Sequence, residues 1–289
     1  MSLSARVPST AKTNLFVPAI YSAKVEEAVK SDLVAWGAFD TDRWSGELVK
    51  GDTLYIPKTN TVTATEVVVG SKANATNPLN TTGVTLTINK WYEAPVDVDD
   101  MTKRQQGANI ETYAVNESRY GVSVAMDSSI CDLFSSLGGY STSAYGADGQ
   151  TFTDDLALYL MQTLWESSVP KGDGQISWVV DPSTLVDMLK IDKLVAATYA
   201  ASGGNLKNGV VGQSVYGGTV RITNNLTAAS TGSYAVVAHK KAICGAAQID
   251  KAWTWEYKDL HNTRYQAEAL WGVTELRDTF GVPFYTRHA

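Results

Sequence analysis

Three aspartates close together in the sequence are the side chains best placed to do chemistry. Asp97, Asp99 and Asp100 end a run of strand-forming residues, and strand alternation would put Asp97 and Asp99 on one face. Two such carboxylates could bind a divalent cation, or could supply the two carboxyl groups of glycoside hydrolysis. A solvated junction between a strand and a helix uses the same residue types, and this is the interpretation we adopt.

The other residue types that carry catalysis or bind metals lack the necessary spacing. No histidine has a companion at metal-ligand spacing, and the two cysteines lie far apart, so we predict buried free thiols rather than a zinc site. These residues are His239, His261, His288, Cys131 and Cys244. The glycines form neither a dinucleotide-binding nor a phosphate-loop pattern, and no serine has the glycine-flanked setting of a hydrolase. We predict no catalytic, cofactor-binding or metal-binding residues, and a protein that is not an enzyme.

Composition describes an ordinary globular protein with an acidic balance. Of its 289 residues 44% are hydrophobic and 19% are charged, which suits one large domain or two closely joined ones. The net charge of −6 argues against tight nucleic-acid binding over the whole surface, so contact with DNA would come from local basic residues such as Lys12, Lys103 and Arg104. No apolar run reaches the ~20 residues of a membrane span, and the N-terminal residues lack the apolar run of a signal peptide. We therefore expect no membrane association, and folding in a reducing cytoplasm.

The elements that would position these residues begin with an arm and a short helix. Residues 1 to about 20 are polar and contain Pro8 and Pro18, without a helical or strand period. From Ser22 the spacing of the apolar residues indicates a helix with one apolar stripe. The stripe consists of Val25, Val29, Leu33 and Trp36.

A threonine- and valine-rich β excursion occupies residues 45–98. Apolar and polar residues alternate in two runs joined by a long polar loop, a pattern that predicts a two-stranded hairpin. An isolated hairpin is only marginally stable in water, and this one has little local core to cover it. We therefore predict that it lies across another copy of the chain, with its apolar face and the flanking aromatic residues in the interface. The subunit-interface candidates are Trp44, Leu54, Ile56, Val84, Leu86, Ile88, Trp91 and Tyr92.

One long helix is predicted from Asn109 to Leu137. Apolar residues at helical spacing give it a buried stripe, and two glycines follow its end. The stripe consists of Met126, Ile130, Leu133, Phe134 and Leu137. At ~1.5 Å per residue this helix would span roughly 40 Å.

The rest of the chain alternates helical and strand patterns before an aromatic β region closes it. We predict a helix capped by Thr153, a buried strand at ISWVV followed by a helix with Asp181 as its cap, and strands at GTVRIT and YAVVAH. Near the end, Trp253, Trp255 and Tyr257 alternate with polar residues. This alternation indicates a half-buried strand, which we pair with YQAEALWGVTELR.

In this order the segments resemble the major capsid proteins of tailed bacteriophages with the Hong Kong 97-type fold. The likeness covers nearly the whole chain and is carried by the blocks FVPAIYSAKVEEAVKSDLV, GELVKGDTLYIPK, GVTLTINKWYEAPVDVDDM, WVVDPSTL, GTVRITNNL and YAVVAHKKAICGAAQ. It implies an α+β fold made of four parts. These are an N-terminal arm with a short helix (1–44), an extended β-hairpin loop (45–98), a peripheral domain with the long spine helix (99–139 and 251–289), and a mixed α/β axial domain (140–250).

The resemblance implies a structural shell protein as the function. Proteins of this kind form hexamers and pentamers, assemble around a scaffolding protein, and expand when double-stranded DNA is packaged. For this chain it implies self-assembly into the icosahedral head shell of a tailed phage, with a separate scaffolding protein and a portal as partners. Contact with the packaged DNA is expected to be weak and non-specific, and the final location is the virion.

Two other interpretations stay open at this point. A bacterial encapsulin-type compartment would share the fold and enclose protein cargo rather than DNA. A phage-associated glycan hydrolase using Asp97 and Asp99 would be a small oligomer with activity on sugar polymers. The contents of purified particles separate the first from a DNA-filled head, and size and turnover separate the second.

Overall fold

Two β-sheets of unequal size and a separate hairpin organise the protein. The computed structural model describes residues 33–44, 52–59, 81–105, 110–138, 144–171, 173–191, 206–207, 210–215 and 217–287, together with Val62, Ala64, Glu66 and Val69. The strands are β1 (Thr53–Thr59), β2 (Thr81–Thr87), β3 (Lys90–Asp99), β4 (Ile176–Val180), β5 (Leu206–Lys207), β6 (Val210–Val215), β7 (Gly218–Ile222), β8 (Tyr234–His239), β9 (Ile243–Tyr257), β10 (Asn262–Glu275) and β11 (Gly281–Tyr285). The α-helices are α1 (Asp100–Gln105), α2 (Ile110–Cys131), α3 (Asp154–Glu166) and α4 (Pro182–Met188), and short 3-10 turns lie at Trp36–Ala38, Phe134–Ser136 and Asp278–Phe280. The predicted arm, most of the helix expected from Ser22 and part of the predicted hairpin loop lie outside the described residues.

The larger sheet is mixed and has the strand order β11-β8-β4-β7-β6-β5. Its strand β4 pairs in parallel with β7 and antiparallel with β8. All five residues of β4, Ser177 included, are buried, which fits a strand covered on both faces. The two helices of this region begin at the predicted caps, because the Thr153 side chain accepts the Leu156 N–H and the Asp181 side chain accepts the Thr184 N–H.

An aromatic cluster fills the core on the face of this sheet that α3 covers. The ring centroid of Trp178 in β4 lies 6.1 Å from that of Phe152 and 6.0 Å from that of Phe284. All three side chains are buried, together with Leu160 and Leu164 of α3. Phe284 belongs to β11, which pairs with β8. The last strand therefore completes the larger sheet, whereas the resemblance assigned the whole of 251–289 to the peripheral domain.

The smaller sheet consists of three long antiparallel strands in the order β3-β10-β9. The pairing of β9 with β10 confirms the predicted partner of the aromatic strand. Helix α2 lies across β3 and β10 on one face and packs Val122 against Ala267 and Trp271. The Ser118 hydroxyl joins the helix to both strands, because it donates to the Ala94 carbonyl and accepts the Ala267 N–H.

Helix α2 ends at Cys131, earlier than the predicted Leu137. The chain then enters the 3-10 turn, where the Ser136 hydroxyl donates to the Leu133 carbonyl at 2.9 Å. Serine side chains that bond to nearby carbonyls compete with the α-helical pattern. With 22 residues at ~1.5 Å each, the helix spans about 33 Å rather than 40 Å. The predicted stripe is nevertheless buried at Ile130, Phe134 and Leu137, and half-buried at Met126 and Leu133.

The second half of α2 also joins the two sheets. The buried Asp127 carboxylate accepts the Trp36 N–H at 3.0 Å and an N–H of the Asn225 side chain at 3.1 Å. Asn225 follows β7, so one carboxylate connects α2, the larger sheet and the segment before the hairpin. Trp36, predicted as the last apolar residue of a helix from Ser22, opens a 3-10 turn instead.

Candidate assembly surface

The hairpin formed by β1 and β2 carries half of the predicted interface residues, and its apolar face is covered within the chain. Together with Trp44 before the hairpin and Ile88 after it, the residues of this face pack on β9 and the end of β10, three of the six buried and three half-buried. The buried ones are Ile56, Leu86 and Ile88, the half-buried ones are Trp44, Leu54 and Val84, and the covering residues include Cys244, Ala246 and Leu276. The expectation that this face lacks cover in its own chain does not hold at the base of the hairpin. Local sequence patterns could not show it, because the cover comes from residues far along the chain.

A glycine in β10 permits the close approach of the hairpin to the smaller sheet. A Cβ atom at Gly272 would lie 2.2 Å from the carbonyl oxygen of Thr87, at the end of β2. Only a residue without a side chain leaves room for backbone this close. The hairpin therefore rests directly on the Gly272 end of β10.

The opposite face of the hairpin is open to solvent. Tyr55 is exposed, and its ring lies over Gly83, where a Cβ atom would fall 1.9 Å from the ring carbon Cζ. An aromatic ring that covers a glycine on the facing strand fixes the register of a strand pair. The same face carries the Pro57–Gly83 pair and the exposed Thr53, Thr85 and Thr87, so it presents one aromatic ring among threonine side chains.

The two remaining interface candidates, Trp91 and Tyr92, are exposed on opposite faces of β3. Trp91 is 70% exposed and Tyr92 is 50% exposed. The ring centroids of Tyr92 and Trp271 lie 5.0 Å apart, so Tyr92 is on the face that packs on α2. Trp91 is paired with Leu270 and therefore lies on the face that α2 does not cover.

That uncovered face carries three more aromatic residues, which the sequence assigned to a half-buried strand. Trp253, Trp255 and Tyr257 of β9 are 43%, 42% and 38% exposed. Residues paired across antiparallel strands lie on the same face, and the register through β10 places these three on the face of Trp91. The prediction of burial fails because these rings lie on the face opposite α2, whose side chains pack on Ala267 and Trp271. We call Trp91, Trp253, Trp255 and Tyr257 the aromatic face. The hairpin base covers the Gly272 end of the same side of the sheet, and the aromatic face lies beyond it.

Polar contacts hold the aromatic face in place without covering it. Arg264 donates to both carboxylate oxygens of Asp97, at 2.6 and 2.8 Å, and its guanidinium lies 5.0 Å from the centre of the Tyr257 ring. The Trp253 indole N–H donates to Glu268 at 2.8 Å. The rings are therefore oriented in the isolated subunit and lose little freedom when a partner covers them.

The contact with Arg264 also decides what Asp97 can do chemically. The hydrogen bonds from Arg264 hold the pKa of Asp97 below its usual value, which keeps the carboxylate ionised. The general acid of a glycosidase needs the opposite, a raised pKa. Asp97 and Asp99 share a strand face as predicted, but nothing in this geometry favours the glycan hydrolase. Within the described ranges, no three His, Cys, Asp or Glu side chains are grouped so that they could hold a metal ion.

The buried thiols and the buried histidine have structural surroundings. The two cysteines are free and buried, as predicted, and burial raises the pKa of Cys244 to about 12 and that of Cys131 well above its usual value. The buried His239 places Nε2 at 2.8 Å from a carboxylate oxygen of Asp173, while its Nδ1 accepts the Lys241 N–H. His288 lies outside the described residues. None of the described helices combines the length and the apolar character needed to cross a lipid bilayer.

Comparison with known proteins gives no match by sequence and clear matches by fold. No protein-family model and no curated protein matches the chain. Solved structures of phage and capsid particles match along nearly the whole chain. A chain from Mycobacterium phage Che8 is 21% identical, with a TM-score of 0.71 and with 94% of this chain and 97% of that chain covered. A chain from the capsid of a native GTA particle is 11% identical, with a TM-score of 0.71 and with 98% and 99% covered. A chain from the capsid of cyanophage P-SCSP1u is 13% identical, with a TM-score of 0.69 and with 96% and 94% covered.

The protein therefore has an α+β fold that it shares with chains of phage capsids. Coverage above nine-tenths of both chains in each pair means that the likeness extends over the whole subunit rather than one motif. The resemblance inferred from the order of sequence segments is confirmed at the level of the fold.

Proposed function

We propose that the protein is a structural capsid subunit that assembles with copies of itself into the icosahedral head shell of a tailed phage. The observation that carries the proposal is the aromatic face, which is exposed on a rigid sheet in a chain that shares its fold with capsid chains. Soluble monomers rarely leave several large apolar side chains uncovered on one surface. Aromatic residues of this kind are typical anchors of protein interfaces.

The hairpin supplies the complementary surface in this proposal. Its base stays on its own sheet, and its outer face with Tyr55 is exposed. Laid across a neighbouring copy, the hairpin would cover the aromatic face, which the neighbour's own hairpin leaves open. Trp91 then belongs to the interface, as do the three β9 aromatics that sequence reasoning missed.

We take the organisation of the shell from the resemblance to major capsid proteins. The subunits form hexamers and pentamers and use a separate scaffolding protein and a portal. The peripheral domain comprises 99–139 and 251–289 except for β11, and the axial domain comprises 140–250 with β11 added. The subunits fold in the host cytoplasm and end in the virion.

Packaged double-stranded DNA is contacted weakly and without sequence preference in this proposal. Among the basic residues named from the sequence, Lys103 lies 3.5 Å from Glu111 and 5.4 Å from the centre of the Tyr265 ring. Its ammonium is thus engaged within the subunit, while Arg104 is exposed. Filter retention of duplex DNA by free subunits should be weak and should vanish as salt rises, whereas shell formation, followed by light scattering, should persist because apolar contacts are screened little.

Electron microscopy of the purified protein at raised concentration tests the proposal. We expect closed shells of uniform size, and particles recovered from infected cells should contain DNA. A protein passenger in place of DNA would identify an encapsulin-type compartment. A small oligomer that never forms shells and cleaves sugar polymers would refute the shell function.

The role of the hairpin is tested by replacing residues 60–80 with an Asn-Gly turn. The base of the hairpin keeps its contacts with Cys244, Ala246 and Leu276, so we expect a folded subunit or small oligomer that forms no shells. A variant with residues 60–80 replaced by a glycine-serine segment of equal length is the matched control for length. Closed shells of normal size from the shortened variant would show that residues 60–80 of the hairpin are not needed for assembly.

A further inference from the structure

Two exposed helix faces remain in the larger-sheet region after the aromatic face and the hairpin are accounted for. Helix α3 exposes Leu158 and Trp165, with Gln162 between them, while its opposite face supplies Leu160 and Leu164 to the core. These exposed positions lie at i, i+4 and i+7 and form one stripe. Helix α4 and the turn after it expose Val186 and Leu189 in the same way. We call these the α3 stripe and the α4 stripe.

The two stripes carry opposite charge. Along the α3 stripe lie the carboxylates of Asp155 and Glu166 and one ammonium, that of Lys171, which lies 5.4 Å from the centre of the Trp165 ring. Two negative charges and one positive charge leave a net charge of −1 at this stripe. Glu166 also accepts a hydrogen bond from Gln162 at 2.8 Å, which fixes its position.

Next to the α4 stripe, two cations share a single buried carboxylate. One oxygen of Asp187 lies 3.1 Å from Lys190 and 3.3 Å from Arg287, and the Asp187 side chain is only 1% exposed. Two positive charges and one negative charge leave a net charge of +1. The Lys190 side chain is largely exposed, so this excess positive charge is available to a partner.

The shape of the α3 stripe also suits a protruding apolar side chain. A cleft of about 330 Å³ lies there, lined by Leu158, Met161, Gln162, Trp165, Glu166 and Lys171. Leu189 protrudes from the α4 stripe, beside the cation Lys190. A leucine entering the cleft would bring Lys190 next to the acidic end of the α3 stripe at Glu166.

We propose that the α3 stripe of one subunit docks on the α4 stripe of the next subunit within a capsomer, with Leu189 seated in the α3 cleft. The proposal rests on the capsid function proposed above and adds a second contact, separate from the hairpin. The contact pairs unlike stripes, because two α3 stripes facing each other would oppose charges of the same sign. In this proposal the contact repeats head to tail from subunit to subunit, an arrangement that forms a ring where the rotation closes, as a hexamer or pentamer requires.

Cross-linking between two cysteine variants tests this contact. Leu158→Cys and Leu189→Cys change exposed residues, and the native thiols are buried with raised pKa, so a short bis-maleimide will react with the new cysteines alone. One variant carries an affinity tag, and the two are co-assembled. We expect a covalent dimer of tagged and untagged chains in the mixed particles, and none in particles of either variant alone. Leu260→Cys, an exposed leucine at the turn between β9 and β10, replaces Leu158→Cys in the matched control and should give no dimer with Leu189→Cys.

The outcomes separate this contact from the capsid function itself. Normal particles without the mixed dimer would overturn the contact and leave the shell function standing. Dimers in particles of a single variant would show that like stripes meet, and would also overturn it. If the unmodified chain forms no particles at all, the proposed function fails, and the contact fails with it. Unchanged thermal melts of both variants establish that the substitutions leave the fold intact.

Discussion

Trp178 and Trp255 are the same residue type on strands of one chain, in opposite surroundings. Trp178 in the larger sheet is 0% exposed and packs between Phe152 and Phe284. Trp255 in the smaller sheet is 42% exposed and has a stacked neighbour in Trp253, with ring centroids 6.1 Å apart. Helices of the same chain cover the aromatic residues of the larger sheet. In the smaller sheet, helix α2 covers only one of the two faces.

The difference assigns separate tasks to the two sheets. The larger sheet stabilises the isolated subunit, because its apolar residues are already out of water. The smaller sheet leaves apolar side chains exposed to a partner. Burying one such side chain in an interface contributes about 1.5–3 kcal/mol to the free energy of association. A modest gain per subunit becomes large when the contact is repeated around a shell.

The largest effect is expected from Trp178→Ala. Truncating a fully buried tryptophan typically lowers the free energy of unfolding by about 3–5 kcal/mol, because transfer energy is lost and a cavity remains. Urea unfolding of the unassembled subunit measures this, with Trp255→Ala as the same substitution in the other sheet. An unchanged urea midpoint for Trp178→Ala would refute the division of tasks.

The second largest loss of stability is expected from Gly272→Ala, which disrupts the contact between the hairpin and the smaller sheet. The added methyl group would meet the Thr87 carbonyl oxygen at 2.2 Å, so backbone must move, and overpacking of this kind costs about 1–3 kcal/mol. Gly37→Ala is the control, because a Cβ atom there meets nothing within 4 Å. Differential scanning calorimetry compares the two variants, and equal melting temperatures would contradict the close approach.

A smaller effect on the subunit and a clear effect on assembly are expected from Trp255→Ala. The free energy of unfolding should barely change, while the protein concentration needed for shells should rise about tenfold if each subunit loses ~1.4 kcal/mol of contact energy. Thr254→Ala changes the opposite face of the same strand and should leave assembly unaltered. Light scattering over a concentration series gives the threshold, and an unshifted threshold for Trp255→Ala would exclude the aromatic face from the interface.

The smallest effect is expected from Asp97→Asn, and it depends on pH. Because Arg264 lowers the pKa of Asp97 in the folded chain, this carboxylate stabilises the fold above the unfolded pKa of about 3.9 and stops doing so as pH falls through its lower folded pKa. Unfolding curves should show the variant slightly less stable than the parent at neutral pH, with the difference vanishing in strong acid. Asp99→Asn is the control on the same strand face. A difference that grew on acidification would contradict the assignment.

Local signals predicted the starts of α3 and α4 and the partner of the aromatic strand. The caps at Thr153 and Asp181 follow from side chains that bond to the first turn, and the partner of the aromatic strand followed from its neighbouring sequence. Local signals could not predict which faces of the strands are buried and which are exposed. Whether Leu86 is covered depends on Ala246 and Leu276, and whether Trp255 is covered depends on where α2 lies. Both are decided by contacts between distant parts of the chain.

The position of β11 has a consequence for synthesis of the chain on the ribosome. Strand β11 forms an edge of the larger sheet, and its Phe284 closes the core around Trp178 and Phe152. A nascent chain that has not reached Tyr285 has the older strands but lacks the ring and the edge that complete them. Domains generally fold as units, so this core becomes stable only once β11 has emerged. Products that terminate before β11 would therefore remain unfolded, open to chaperones and proteases, and would not compete with copies that contain it.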